Sequence, residues 1–402
     1  MASRTICPGC FLLISIEFDT FDKILFQKLV YTGKLISEKQ QVSYFIKVVA
    51  FFWLATKIWS YKTWITDRIY PVIPPLDIVK NVPGFVHLFL FGFSLLALLV
   101  ILFKESRLLL ISLFLSEMLS CSLDTVRWQP WEYMYMCILL MTIINFHKPK
   151  NILLLTHLLL VSIYLFSGLH KFNRGFLSLV WMNMILIDFF GLSMDLILKY
   201  KLFFVGLLIP IVELVLAGLL LISKSKRRIS YILILVHVII LIVIGPFGLQ
   251  YNSVVWFWNL VMIGMLLIIY VKPIDPVTKS FCTSNFYWLV LWFVMPGFSF
   301  FGHWYQYFSF NLYSGKGEQL YFCFSEKKGE LKPYFDPKMN TICLGKPCIN
   351  LQNWALAEIK SAPLPETEIY RKIAVYMKQK YPNDSIKIIS YDLQTQKRVE
   401  MK

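Results

Sequence analysis

The stretch "YLFSGLHKFN", residues 164–173, ends a long apolar run with a histidine beside a lysine. A lysine there is a candidate reactive amine, held at the mouth of a membrane pocket. Lys171 is that candidate and His170 its neighbour; the plainer reading is a lysine snorkelling at the end of a membrane span. Other polar side chains recur where polarity is costly. "SLDTVRWQPWEY" (122–133) brings Arg127 and Gln129, and "GPFGLQYNSVVWFWN" (245–259) brings Gln250, Asn252, Trp256 and Asn259. Amides, cations and indoles from distant segments are what a pocket at a membrane–water boundary needs for walls and orientation; an interfacial anchor is the alternative for Arg127 and its tryptophans. Glu213 in "PIVELVLAG" and His237 in "LVHVIIL" lie inside apolar runs. A charge at the bilayer centre costs roughly 2.5–3.5 kcal/mol, so these two are expected to hydrogen-bond to each other, fixing the imidazole tautomer and giving a proton a path.

The elements that position these groups are apolar helices. Of 402 residues, 57% are hydrophobic and only 16% charged, and the mean hydropathy is +0.61. Such a composition belongs to a multi-span membrane protein. Runs of the roughly 20 residues that cross a bilayer are read at 42–60, 83–103, 106–123, 130–146, 151–169, 203–222, 229–247, 254–271 and 284–301. The fold class expected is therefore an all-α membrane bundle of about nine helices with a small α+β domain at the carboxyl end. Residues 1–41 form an interfacial segment, 42–301 the helical domain and 302–402 the extramembrane domain. The stretch 176–198 is apolar but holds Asp188 and Asp195, and is read as an in-plane or re-entrant segment. With nine crossings, the amino terminus and alternate loops, "SKSKRR" (223–228) among them, carry about 15 Lys and Arg against roughly eight on the other side. That places the amino terminus in the cytoplasm and the carboxyl-terminal domain outside. The net charge of +16 is spent on this topology, and nucleic acid is not an expected partner.

In the tail, "GEQLYFCFSEKKGELKPYF" alternates and reads as a hairpin, "LQNWALAEIK" and "ETEIYRKIAVYMKQKY" have helical spacing, and "SIKIISYDLQ" is a final strand. Two of Cys323, Cys343 and Cys348 can pair if the domain faces an oxidising space: "CLGKPC" closes locally, or strand geometry joins Cys323 to one of the others. The CxxC at Cys7 and Cys10 has no partner pair and is weak evidence for metal or redox chemistry. No phosphate loop, HExxH, nucleophile elbow or metal-spaced Cys/His set is visible, and no metal is expected.

A span ending in "SGLHKFN" resembles the corresponding segment of the vitamin K-dependent γ-carboxylase superfamily, which includes the bacterial horizontally transferred transmembrane (HTTM) proteins. "RWQPWEY", "IVELVLAG", "GPFGLQYNSVVWFWN" and "YFSFNLYSG" look like features of bacterial membrane proteins close to that group, over about residues 40–320. The resemblance implies a bacterial inner-membrane location, a reduced, menaquinone-like quinone as ligand, and an epoxidising or carboxylating reaction in which Lys171 deprotonates the hydroquinone. Only about 100 residues follow the last span, too few for the large extramembrane portion with which the carboxylases grip their substrate. The other expectation is accordingly a non-enzymatic assembly or maturation factor that docks a secreted protein through its tail domain.

Overall fold

The computed structural model describes residues 36–326, 329–382, 386–392, 395 and 397–401. Cys7, Cys10 and nearly all of the expected interfacial segment 1–41 lie outside them. The chain is mostly helical, with five long apolar helices and a small carboxyl-terminal four-stranded antiparallel sheet bearing a disulfide.

Helix α1 spans Glu38–Trp59. It is started by a reciprocal cap in which Gln40 N–H donates to Ser37 Oγ at 3.2 Å and Ser37 N–H to Gln40 Oε1 at 2.9 Å, satisfying two otherwise orphaned donors. There follow α2 (Gly84–Phe103), α3 (Arg107–Leu123), α4 (Pro130–Ile144) and α5 (Pro149–His170). Prolines open α4 and α5, where their missing N–H costs nothing. Then come α6 (Leu208–Ile222), entered through a 3-10 turn at Leu202–Leu207, α7 (Lys226–Ile244), α8 (Val254–Ile269) and the irregular α9 (Phe286–Phe301). By length and composition, α1, α2, α5, α7 and the continuous stretch Leu202–Ile222 are able to cross a membrane.

Packing divides these helices. Helix α5 is buried nearly all round and runs through the centre of the bundle, whereas α2 and α7 expose large apolar residues such as Phe85, Phe89, Phe103, Leu235 and Ile242.

The stretch 176–198 is a π-helix, Phe176–Phe189, that breaks at Gly191 (φ +69°) before a short helix at Met194–Lys199. Trp181 Nε1–H donates to Leu202 O at 2.9 Å, and Gly206 lies so close to the Trp181 ring that a Cβ there would be 2.5 Å from it. The chain therefore folds back beside its own start before α6 begins.

In the tail, β1 (Glu318–Cys323) lies between β2 (Cys348–Asn350) and β3 (Lys387–Asp392), and β4 (Arg398–Glu400) extends the other side of β3, giving the order β2-β1-β3-β4. Helices α10 (Leu351–Glu358) and α11 (Thr367–Lys380) fall where helical spacing placed them. The expected hairpin within 317–335 does not form. Its second arm is a 3-10 helix at Gly329–Tyr334 holding Pro333, which cannot donate to a strand ladder, and β1 pairs instead with β2 and β3.

The tail is fastened to one end of the bundle. Thr63 Oγ1–H donates to Ile359 O at 2.8 Å, Gln129 Nε2–H to Ala362 O at 2.8 Å, and Gln352 Nε2–H to Tyr251 OH at 2.8 Å. Glu358 accepts from the backbone N–H groups of Ile69 at 2.5 Å and Tyr70 at 3.0 Å. The turns after α1, α3 and α7 thus share an end with the tail. At the other end, Lys150 faces both Glu38 and Asp275, and Arg107 Nε–H donates to Ile143 O at 3.1 Å.

Candidate functional site

Helices α5, α6, α7 and α8, the π-helix and the segment leading into the tail enclose a cavity of about 370 Å³. Its walls are apolar: Ile163, Val212, Ile240, Trp258 and Met262 among them, with Phe176, Val180 and Met184 from one face of the π-helix. π-helical insertions are rare and recur at functional sites; here the π-helix supplies a wall. Asn173 sets its start. The Asn173 side chain donates to His170 O at 2.7 Å and accepts from Phe176 N–H at 3.0 Å, ending α5 and beginning the next element.

The polar groups at the cavity form two sets. Lys171 Nζ lies 2.7 and 2.9 Å from the two carboxylate oxygens of Glu213 and 2.5 Å from Ser167 Oγ. The Lys171 and Glu213 side chains are each only 9% exposed. Gly168 lets α5 and α6 approach closely enough for this: a Cβ there would sit 3.1 Å from the Leu214 side chain and 3.2 Å from Pro210 O. In the second set, Tyr164 OH and His237 Nε2 are 2.8 Å apart, and His237 Nδ1 is 2.8 Å from Asn259 Oδ1. Asn259 is itself fixed by donation to Val255 O at 2.8 Å. Because Asn259 presents its oxygen, Nδ1 carries the proton and Nε2 accepts from Tyr164 in the neutral imidazole.

The expected Glu213–His237 hydrogen bond is therefore corrected. Each residue lines the cavity, but Glu213 pairs with Lys171 and His237 with Tyr164 and Asn259. Counted along the helices, Glu213 is five residues from the start of α6, and Asn259 five from the start of α8, each about 8 Å along its axis.

The remaining expected ligands separate from this site. The Arg127 guanidinium is fully buried and donates to Thr63 O at 3.2 Å, Ser120 O at 2.9 Å and Trp64 O at 2.9 Å, with His87 Nδ1 at 2.8 Å. It ties the turn after α1 to α3 and does not line the cavity. Burial lowers its pKa to about 10, with Asp124 opposing the shift, so it stays charged at neutral pH. Gln129 fastens the tail, Gln250 is exposed and caps its own turn at Pro246 O, and Trp256 Nε1–H donates to Ile244 O at 2.8 Å. Asn252, at φ +47°, shapes the turn before α8. His170 points away from the cavity: it stacks on Phe300 at 4.4 Å and faces Ser299 Oγ at 3.2 Å. Of the six ligand-binding residues expected, Asn259 alone lines the cavity.

A second buried constellation escaped the sequence reading. Lys57 Nζ is 2.8 Å from Glu117 Oε2 and 3.8 Å from Glu132 Oε1, with all three side chains fully buried. It lies 3.1 Å from the centroid of Trp64, while Trp53 Nε1–H donates to Glu132 Oε2 at 2.8 Å. Arg127 bonds Trp64 O from the same neighbourhood. The signal was present: each of these residues interrupts or borders an apolar run.

A backbone clasp joins the tail to the π-helix at one end of the cavity. Phe310, Leu312 and Tyr313, from the start of the tail, line it. Beside them Asn173 Nδ2–H donates to Ser314 O at 2.9 Å. Gly175 and Gly315 are packed backbone to backbone: a Cβ on Gly315 would lie 2.2 Å from the Gly175 carbonyl carbon, and Gly315 has φ +63°.

In the tail, Cys323 and Cys343 form the disulfide, Cα atoms 5.4 Å apart, while Cys348 keeps a free thiol. Comparisons with family models, curated proteins and solved structures find no match for this chain.

Proposed function

We propose that the chain is a multi-pass membrane protein whose cavity binds the polar head of a lipid-soluble ligand. The exposed apolar faces of α2 and α7 favour lipid as their solvent, since contiguous apolar surface of this extent is unfavourable in water. With the re-entrant hairpin returning to the end it left, nine crossings keep "SKSKRR" and the other basic turns together on the cytoplasmic side. The tail then faces the periplasm, and its disulfide fits an extracytoplasmic location.

The observation that carries the ligand reading is an ion pair, Lys171–Glu213, on the wall of an otherwise apolar 370 Å³ cavity. That volume falls within the roughly 300–1,000 Å³ of small-molecule sites. A reduced naphthoquinone has the required chemistry: a flat apolar body and hydroxyl groups able to donate to Glu213. The resemblance of "SGLHKFN" and "IVELVLAG" to the γ-carboxylase superfamily points the same way. In this reading the base is the Lys171–Glu213 pair. The Glu213 carboxylate accepts a hydroxyl proton, the Lys171 ammonium stabilises the resulting oxyanion, and apolar walls exclude water. Tyr164, His237 and Asn259 supply a second hydrogen-bonded edge to orient the ligand.

Titration of the detergent-purified protein with a short-chain reduced naphthoquinone, kept anaerobic and followed by tryptophan fluorescence, tests this. Saturable binding is expected, weakened at least tenfold in Lys171→Met/Glu213→Leu. Equal affinity in the variant, or no saturable binding to the wild type, would overturn the reading.

A further inference from the structure

The three tail cysteines make a second chemical site, independent of the cavity. Cys323, Cys343 and Cys348 are all buried and their sulfur atoms lie within 4.8 Å of one another. Cys323 and Cys343 are bridged and Cys348 is a thiol. Cys348 also stands directly across the β1–β2 ladder from Cys323, the two being Cα partners in register. The sheet thus holds Cys323 and Cys348 side by side, whereas Cys343 belongs to the connecting turn before β2, with Leu344 at φ +54° and Gly345 at φ +82°. Leu344, next to the bridged Cys343, is 78% exposed.

We propose that this triad is a thiol–disulfide exchange site, in which Cys348 displaces Cys343 from Cys323. The Cys348 thiol loses its proton to solvent, and the thiolate attacks the Cys323 sulfur. A Cys323–Cys348 bond forms as the Cys323–Cys343 bond breaks, and Cys343 leaves as a thiolate that takes up a proton. No oxidant or reductant is consumed. The product carries its free thiol on the turn rather than within the sheet, so the exchange transfers reactivity from a buried strand to a residue adjoining the exposed Leu344. Its partner class is a small or protein thiol or disulfide able to reach that turn. Burial pushes the Cys348 thiol up to about 12, with the Asp336 carboxylate adding to the rise. Attack depends on the thiolate fraction, so exchange is slow near neutral pH and faster in mild alkali.

The test maps linkages in the full-length protein. Samples held at pH 7 and at pH 9 are acid-quenched, alkylated under denaturing conditions and digested without reduction. Trypsin is a poor choice because Pro347 follows Lys346, whereas chymotryptic cleavage after Leu344 separates Cys343 from Cys348. The expected result is a mixture: Cys323–Cys343 with alkylated Cys348, and Cys323–Cys348 with alkylated Cys343, the second growing at pH 9. Cys343→Ser is expected to form Cys323–Cys348 under mild oxidation, and Cys348→Ser to hold one linkage at both pH values. Cys348 recovered as the alkylated residue in every wild-type fraction, together with no Cys323–Cys348 bond in Cys343→Ser, would overturn the proposal.

Discussion

The Lys171–Glu213 pair makes a quantitative claim about the bundle. Both side chains are nearly buried, and Nζ meets both carboxylate oxygens at 2.7 and 2.9 Å. Removing one partner strands the other charge in an apolar wall, a change that costs about 3–5 kcal/mol when a buried pair is broken. Lys171→Met and Glu213→Leu should each lose that much. Replacing both partners with apolar groups of similar volume is often neutral or stabilising, so Lys171→Met/Glu213→Leu should recover most of the loss. The coupling in this double-mutant cycle is then about 3 kcal/mol or more in magnitude, against the roughly 0.3–0.5 kcal/mol within which independent sites add. Denaturant unfolding in detergent reads it, with near-identical helix content by circular dichroism before unfolding as the control. Single variants whose losses simply add would mean that the two groups do not share a buried contact, and the site as drawn would be wrong.

Other consequences follow from the same geometry. Gly315→Ala places a methyl against Gly175 at a left-handed φ, and should open the tail end of the cavity, read as faster proteolysis of the 313–317 turn with the bundle helices intact. Lys57→Met should destabilise the bundle by about 3–5 kcal/mol through Glu117 and Glu132, with Lys57→Met/Glu117→Gln recovering part of the loss in the same unfolding assay. Burial raises the Glu366 pKa to about 7, against the Gln306 N–H that lowers it and with Glu368 adding to the rise. A carboxyl so raised gives stability that is full below its unfolded value and is lost as pH climbs through 7. Glu366→Gln should therefore gain in melting temperature relative to wild type between pH 5 and pH 8; a difference that stays flat would remove Glu366 from the linkage.

How much of this was legible in the sequence depended on the kind of signal. Apolar runs marked the helices because length and hydropathy alone decide them; α10, α11 and β3 were marked by periodicity. Glu213 and His237 stood out as polar interruptions, and Lys171 and Asn259 were also singled out, but not which of them pair. The run 203–222 hid the 3-10 entry at Leu202–Leu207, and neither hydropathy nor spacing shows that Glu213 meets Lys171 across the α5–α6 contact. Gly168, which sets the α5–α6 approach, leaves no trace in a hydropathy pattern. Arg127 was read as a ligand group because a cation followed by tryptophans suits a pocket at the membrane–water boundary, yet its five donors are taken up by backbone carbonyls and neighbouring side chains. Lys57 passes for a helix-end charge and Glu117 interrupts the apolar run 106–123, but their pairing across α1, α3 and α4 is tertiary information. The tail cysteines left several pairings open; the fold bridges Cys323 to Cys343 of the turn before β2, although the strand register sets Cys348 opposite Cys323.

The most direct test is mass spectrometry of organic extracts from detergent-purified wild type beside the Lys171→Met/Glu213→Leu variant, at matched protein and phospholipid. The cavity reading predicts an isoprenoid quinone or comparable lipophile at near-stoichiometric levels in the wild type and its loss from the variant. A wild-type extract holding bulk phospholipid alone, or the same lipophile at equal levels in both, would contradict it.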